Sequence, residues 1–124
     1  GGGAPWWRAM IEANAGGFLV LSFDGTLAGY ASIGPARRRL RGLHGEIYEL
    51  YLRPEYQGLG FGTRLFDAAR RRLDADRLHG HLVWALSDNS QACAFYRARG
   101  GAMATSSQER LGGRPLNKTA FIWP

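Results

Sequence analysis

Residues 46–66 read EIYELYLRPEYQGLGFGTRLF, and this stretch combines a strand, a glycine-rich turn and the start of a helix. Large apolar side chains occupy both alternating faces of residues 46–53, a pattern that is typical of a central strand covered on both sides. Pro54 ends the strand, because proline lacks the N–H group that a strand ladder needs. From about residue 60 to residue 73, apolar residues recur at helical spacing. They are Leu65, Phe66, Ala69 and Leu73.

The turn itself, residues 57–63, reads QGLGFGT. Glycines here let backbone N–H groups crowd around an anion without interference from Cβ atoms. The unsatisfied N–H groups and the dipole of the following helix act at the same point. The turn therefore predicts a cradle for a phosphate or pyrophosphate, and a tight turn that merely packs closely is the alternative interpretation. Two common nucleotide motifs do not fit, since one needs G-x-G-x-x-G and the other needs a Gly-Lys pair.

The N-terminal third predicts one helix and two strands. A short helix is expected from Pro5, because Trp6, Trp7, Met10 and Ile11 recur at helical spacing, and residues 14–17 end it. The Asp24-Gly25 pair predicts a hairpin between strands at residues 18–23 and 26–33. A Gly-Pro pair then ends the hairpin, and residues 35–45 are expected to form an arginine-rich loop.

The C-terminal third predicts strands and one more helix. Residues 81–86 read HLVWAL and indicate a strand, parallel to the strand at 46–53 because a helix separates the two. Asn89 begins a second helix that ends at residues 100–101, and strands follow at 102–110 and 118–123. The order α-β-β-β-α-β-α-β-β predicts an α+β fold with a mixed α/β sheet. Residues 1–124 are expected to form one domain, with residues 1–4 a trimmed or added end.

Composition narrows the class of protein. The chain has 124 residues, of which 45% are hydrophobic and 21% charged, as in a globular domain with its own core. No stretch approaches the roughly 20 apolar residues of a membrane span, so no membrane partner is expected. Cys93 is the single cysteine, which excludes an internal disulfide and favours the reducing cytoplasm. One cysteine and three scattered histidines do not form a usual zinc site, so no metal is expected.

The charge balance points to an anionic partner. The net charge is +6, and every basic residue except Lys118 is an arginine. Such a surplus attracts nucleic acid, an acidic membrane surface or a phosphorylated cofactor, and composition alone does not choose among them. A basic nucleic-acid-binding domain is therefore one alternative. It ranks last because no recognition helix or aromatic platform motif accompanies the charge.

Two motifs in order resemble the GNAT superfamily of acyl-CoA N-acyltransferases. The pattern Gln-x-x-Gly-x-Gly, at Gln57, Gly60 and Gly62, resembles that family's acetyl-CoA pyrophosphate loop. The stretch at residues 86–103, LSDNSQACAFYRARGGAM, resembles the end of its fifth strand and its fourth helix. The resemblance covers about residues 18–123. One departure is that the family's N-terminal strand and helix are expected to be missing here.

The resemblance implies that acetyl-CoA is the co-substrate and identifies the residues that bind it. Backbone groups of the strand at residues 46–53 are expected to hold the pantetheine, and the turn to hold the pyrophosphate. Asn89 is expected either to bind the cofactor or only to cap its helix. The implied cofactor-binding residues are Leu50, Tyr51, Leu52, Gln57, Gly58, Leu59, Gly60, Phe61, Gly62, Thr63 and Asn89.

The resemblance also implies the reaction, in which a primary amine attacks the acetyl thioester directly in a ternary complex. Tyr96 matches the family's tyrosine acid, which protonates the departing thiolate, and packing in the core is the alternative. Glu49 is the candidate base, and its alternative is a partner for an arginine of the 35–45 loop. Glu46 is the second candidate base.

Partners and competing functions complete the interpretation. The acceptor is an amine of a small molecule or peptide, and the arginine loop favours one that carries a carboxylate or phosphate. A homodimer is one assembly that the resemblance allows, and nucleic acid is not an expected partner. A non-catalytic acyl-CoA-binding module is the main alternative function.

Overall fold

The structure is a computed structural model that describes residues 8–124. It contains the strands β1 (Ala9–Ala13), β2 (Phe18–Phe23), β3 (Thr26–Leu40), β4 (Leu43–Leu52), β5 (His81–Leu86), β6 (Ala102–Leu111) and β7 (Arg114–Trp123). The helices are α1 (Phe61–Ala75) and α2 (Ser90–Ala98), and a single 3₁₀ turn at Pro54–Tyr56 precedes α1 within these residues.

The strands form one mixed sheet in the order β1-β2-β3-β4-β5-β7-β6. Adjacent strands are antiparallel from β1 to β3 and from β5 to β6, whereas β4 and β5 are parallel. The α+β fold with its parallel pair is thus confirmed. By residue contacts, the described chain divides into a first unit, up to Gly34 with Ile47–Arg77, and a second unit, Pro35–Glu46 with Leu78–Pro124.

The first unit packs α1 against one face of the β1–β3 sheet. The apolar stripe predicted for this helix is confirmed, since its buried residues are Leu65, Phe66, Ala69 and Leu73. Leu19 and Leu21 of β2 are buried in the same core. The hairpin predicted at Asp24-Gly25 is also confirmed, with both residues at positive φ (50° and 78°) as a two-residue turn requires.

The second unit packs α2 on one face of the β5-β7-β6 sheet. The aromatic ring of Tyr96 lies 5.7 Å from that of Phe121 and 6.1 Å from that of Trp123. Cys93, on the same helix, is buried, and its thiol donates to the carbonyl of Leu86. Gly101 allows the chain to pass this cluster, because a Cβ there would lie 2.7 Å from the Trp123 ring.

The first predicted element is wrong, because residues 9–13 form β1 and not a helix. Ala9 is buried while its neighbour Met10 is 54% exposed, so the side chains alternate as in a strand. Pairing of β1 with β2 outweighs the helical spacing of a few apolar residues. Trp6 and Trp7, also assigned to the helix, lie outside the described residues.

The arginine-rich loop is also wrong over most of its length. β3 continues through Gly34-Pro35 to Leu40, and β4 begins at Leu43, three residues before the predicted start. Gly34 serves close packing, because a Cβ there would lie 2.7 Å from the Tyr48 hydroxyl. The turn falls instead at Arg41-Gly42, where Gly42 has a φ of 75°. The arginines at positions 37–39 are consequently strand residues.

Candidate active site

The glycine-rich turn of the first unit lies between the end of β4 and the start of α1. Gly58 and Gly60 have φ values of 77° and 85°, a conformation that side-chain-bearing residues rarely adopt. A Cβ built on either glycine would meet no atom within 4 Å. The two glycines thus give the turn its shape and leave open space beside the backbone. A side chain at either position would project into that space.

Several backbone N–H groups of this turn are available to a ligand. Gly60 is the N-cap of α1, and it provides no side chain to cap the helix. Within residues 8–124, the N–H groups of Gly58 to Gly62 have no hydrogen-bond acceptor. Uncapped N–H groups and the positive end of a helix dipole together attract an anion. This arrangement fits the pyrophosphate of coenzyme A.

The turn is held by its neighbours within the first unit. The side-chain amide of Gln57 donates to the carbonyl oxygen of Leu52 at 3.0 Å, which ties the turn back to β4. The rings of Phe23, Tyr56 and Phe61 pack together, with centroids 5.4 to 6.1 Å apart. Gln57 therefore contributes to the shape of the cradle through this bond. Leu59 at its tip is 66% exposed.

The pantetheine-binding segment predicted on β4 has one exposed and two half-buried residues. Tyr51 is exposed, and Leu50 and Leu52 are half-buried. Gly29 of β3 lies directly beside this segment, because a Cβ there would collide with the carbonyl oxygen of Tyr51. A glycine at position 29 is thus required for β3 to lie this close to β4 at its C-terminal end.

Glu49, the candidate base, lies on the same end of β4. The hydroxyl of Tyr30 donates to Oε2 of Glu49 at 2.8 Å. This hydrogen bond is the main reason that the pKa of Tyr30 is raised, since it favours the protonated phenol beside a carboxylate. Phe18 and Tyr51 flank Tyr30, with ring centroids 5.1 and 5.6 Å away. The alternative of an arginine partner for Glu49 is not realised among the described side chains.

Tyr30 is a site residue that the sequence analysis missed. It belongs to β3, 19 residues before Glu49, and only the pairing of strands in the folded sheet brings the two together. No local motif marks it. An alternation of apolar and polar residues was the available signal, and it indicates a strand without identifying a partner.

The two site residues predicted in the second unit lie on α2. Asn89 is the N-cap, and its side-chain oxygen accepts from the N–H group of Ala92 at 3.0 Å. The capping interpretation is thus confirmed, and binding of the cofactor by Asn89 stays a prediction. Tyr96 is buried, which raises the pKa of its phenol to about 12, with a smaller contribution from Cys93. The phenol is therefore fully protonated at neutral pH.

Glu46, the second candidate base, is already paired. Its side chain is 1% exposed, Oε1 accepts from the backbone N–H of Arg37 at 2.9 Å, and Oε2 accepts from its guanidinium at 2.8 Å. A carboxylate held by two charge-assisted bonds supports structure more readily than proton transfer. Glu49 is the better candidate base.

Comparison with known families identifies the chain. Residues 3–101 match the model of the Acetyltransferase (GNAT) family, which is most of the chain. The chain belongs to the GNAT family. The resemblance carried by Gln57, Gly60 and Gly62 is confirmed at the level of the family. Separately, no helix within residues 8–124 has the length and apolar character of a membrane span. The described residues also contain no group of His, Cys, Asp and Glu suited to a metal ion.

Two named GNAT relatives extend along most of this chain. The N-acetyltransferase YuaI of Bacillus subtilis, itself uncharacterized, is 28% identical over 118 residues, which cover 95% of this chain and 66% of YuaI. The mycothiol acetyltransferase of Sanguibacter keddieii is 33% identical over 118 residues, 94% of this chain and 35% of that protein. The chain thus spans less than two thirds of the first relative and about a third of the second.

Solved structures share the fold. The ribosomal-protein-alanine N-acetyltransferase of Brucella melitensis superposes with a TM-score of 0.71 at 23% identity, covering 86% of this chain and 67% of that chain. The yncA protein of Salmonella typhimurium, solved with its cofactor acetyl-CoA, gives a TM-score of 0.69 at 23% identity, with 86% and 62% covered. At this identity the likeness establishes the GNAT fold and leaves the acceptor open.

Proposed function

We propose that this GNAT domain binds acetyl-CoA and transfers its acetyl group to a primary amine of an acceptor. The observation that carries the proposal is the glycine-rich turn at the start of α1. Within residues 8–124 the N–H groups of Gly58 to Gly62 have no hydrogen-bond acceptor, and open space lies beside Gly58 and Gly60. The turn would hold the pyrophosphate, and backbone groups of Leu50, Tyr51 and Leu52 on β4 would hold the pantetheine. Acetyl-CoA, when bound, supplies a thioester whose acetyl group passes directly to the acceptor in a ternary complex.

Glu49 is the base in this proposal. An amine is protonated at neutral pH and becomes a nucleophile only after it loses a proton. The carboxylate of Glu49 is exposed and carries one described hydrogen bond, from Tyr30, so Oε1 stays available. Glu49 accepts the ammonium proton, directly or through water, while Tyr30 holds its orientation.

Tyr96 is the acid in this proposal. Breaking of the carbon–sulfur bond releases a thiolate, whose conjugate acid has an ordinary pKa of about 8.5. Burial raises the pKa of the Tyr96 phenol to about 12, so Tyr96 holds a proton at neutral pH. It donates that proton to the sulfur as the carbon–sulfur bond breaks. The nitrogen, now bonded to the acetyl carbon, releases its second proton to solvent, and Tyr96 recovers a proton from solvent.

Binding of acetyl-CoA tests the cradle before any acceptor is known. At a concentration about 100 times Kd, a ligand stabilises the native state by about 2.7 kcal/mol, which raises the Tm of a domain of this size by about 10 °C. We expect Gly60→Glu to abolish this increase, because the new side chain would bring a carboxylate into the anion's place at a strained φ.

Gly113→Glu is the matched control. Gly113, in the β6–β7 turn, has a φ of 79° and equally open surroundings, so the substitution imposes a similar backbone strain away from the cradle. We expect it to lower the Tm of the free protein as Gly60→Glu does and to keep the full increase with acetyl-CoA. An undiminished increase in Gly60→Glu would contradict the proposed cradle.

A further inference from the structure

The second unit contains an open cleft of about 310 Å³ on its sheet, here called the Arg38 cleft. Its lining residues come from five strands; they are Arg37, Arg38, Glu46, Trp84, Glu109 and Lys118. Trp84 pairs with Ala120 across β5 and β7, whereas Phe121, the next residue, packs against Tyr96 of α2. Because neighbouring strand residues point to opposite faces, the cleft lies on the face that α2 leaves uncovered.

The charges in the Arg38 cleft are unevenly matched. Arg37 is paired with the buried carboxylate of Glu46, and Lys118 is paired with Glu109 at 3.0 Å. Arg38 has no carboxylate partner among the described side chains. Its guanidinium lies 5.2 Å from the ring centroid of Trp84, which holds it at the cleft wall. The lining therefore carries a net charge of +1, located at Arg38.

We propose that the Arg38 cleft binds an oxyanion, a carboxylate or a phosphate, that is part of the acceptor. A guanidinium stacked on an aromatic ring keeps its N–H donors in one plane, and these match the two oxygens of such a group. An ammonium group does not suit the cleft, because both carboxylates already have cationic partners.

The source of the oxyanion follows from the proposed function, on which this inference rests. The phosphates of the cofactor have their own cradle at residues 58–62 in the first unit. Acetyl transfer has only one other substrate, so an anion held elsewhere belongs to the acceptor. The domain would thus select amines that also carry a negative group.

Binding to the Arg38 cleft can be measured without cofactor. N-acetylglycine carries a carboxylate, and N-acetylglycinamide is its uncharged counterpart. We expect N-acetylglycine to shift the indole N–H signal of Trp84 in NMR spectra in a saturable way, and the amide to leave it unchanged. Trp84→Phe assigns the signal. Arg38→Gln should weaken binding by about tenfold, since it removes the charge-assisted hydrogen bonds.

Arg38→Lys and Arg114→Gln complete the set of variants. Arg38→Lys keeps the charge without the planar donors and should fall between the wild type and Arg38→Gln. Arg114 is exposed on β7 outside the cleft, so Arg114→Gln changes the net charge equally and should bind as the wild type does. Equal affinity for acid and amide, or equal loss in Arg38→Gln and Arg114→Gln, would overturn the proposal.

Turnover separates the two oxyanions. β-Alanine, phosphoethanolamine and ethanolamine share a primary amine. β-Alanine also carries a carboxylate, phosphoethanolamine carries a phosphate, and ethanolamine carries no anionic group. We expect kcat/KM for at least one anionic amine to exceed that for ethanolamine by about tenfold, and Arg38→Gln to remove the difference. If kcat/KM for neither anionic amine exceeds that for ethanolamine, the assignment of the cleft to the acceptor is overturned. If acetyl-CoA fails to raise the Tm of the wild type, the proposed function fails, and the indole titration still decides whether the cleft binds anions.

Discussion

Tyr96 is the residue whose chemistry depends most on its surroundings. Its phenol is buried against Phe121 and Trp123, and burial raises its pKa to about 12. The acid in the proposed reaction is thus protected from ionisation by the same packing that builds the second unit. A tyrosine on the surface would begin to lose its proton near pH 10.

Removing this hydroxyl should affect chemistry and spare binding. We expect Tyr96→Phe to lower kcat by about a hundredfold, the smaller end of the usual range for a general acid, while the Tm increase with acetyl-CoA is unchanged. Tyr48→Phe removes a tyrosine hydroxyl from β4 instead of α2, and this variant should keep its activity. Full activity of Tyr96→Phe would return Tyr96 to a purely structural role.

Stability at high pH provides a second measurement on the same residue. The unfolded chain releases the Tyr96 proton near pH 10 and the native state near pH 12, so the unfolded state binds fewer protons between these values. The ionisation of Tyr96 therefore leaves the free energy of unfolding unchanged below about pH 10 and lowers it by about 3 kcal/mol by pH 12. Urea unfolding of Tyr96→Phe should lack this part of the decline, and an identical pH dependence in both proteins would contradict the raised pKa.

Glu49 and Tyr30 form a pair that can be tested from either side. We expect Glu49→Gln to lower kcat by about a hundredfold and Tyr30→Phe to lower it less, because the latter removes only an orienting hydrogen bond. Glu49→Gln should also bring the pKa of Tyr30 back toward its ordinary value of about 10, since the hydrogen bond to the Glu49 carboxylate is the largest cause of the rise. Phenolate absorbance during a pH titration reports this directly. An unchanged Tyr30 titration would show that the bond does not persist in solution.

At the scale of the elements, local chemistry made some predictions reliable. The bounds of β2 and β5 are as predicted, because each is a short apolar run between glycine, aspartate or serine residues. The stripe on α1 is also as predicted, because its residues recur at regular helical spacing over about two turns. The first motif of the family resemblance lies in the turn between β4 and α1, and the second runs from the end of β5 through α2. The sequence therefore supports the family and most of the candidate site.

The errors occur where contacts distant in the sequence decide the structure. Residues 9–13 form a strand through pairing with β2, and five residues carry too little pattern to indicate this. Gly34-Pro35 suggests a turn, yet Gly34 is small because Tyr48 lies against it. The partner of Glu49 follows the same rule, since Tyr30 meets it only in the folded sheet. Sequence reasoning had offered the arginines instead, and one of them pairs with Glu46.

At the scale of the whole molecule, β3 and β4 each contribute residues to both compact units. We propose that the chain folds as a single domain, because β3 and β4 are each divided between the two units. Urea unfolding followed by tryptophan fluorescence and by far-ultraviolet circular dichroism should give coincident single transitions. Two separate transitions would contradict this proposal. Homodimer formation and a cytoplasmic location stay predictions from the sequence.

The burial of Cys93, the single cysteine, has a practical consequence. A thiol packed inside α2 reacts slowly with maleimide dyes, so the wild-type chain has little labelling background. Leu59→Cys would introduce one accessible attachment point at the tip of the turn, where 66% of the leucine is exposed. A fluorophore placed there could follow the arrival of coenzyme A in real time, with no need to know what the enzyme acetylates.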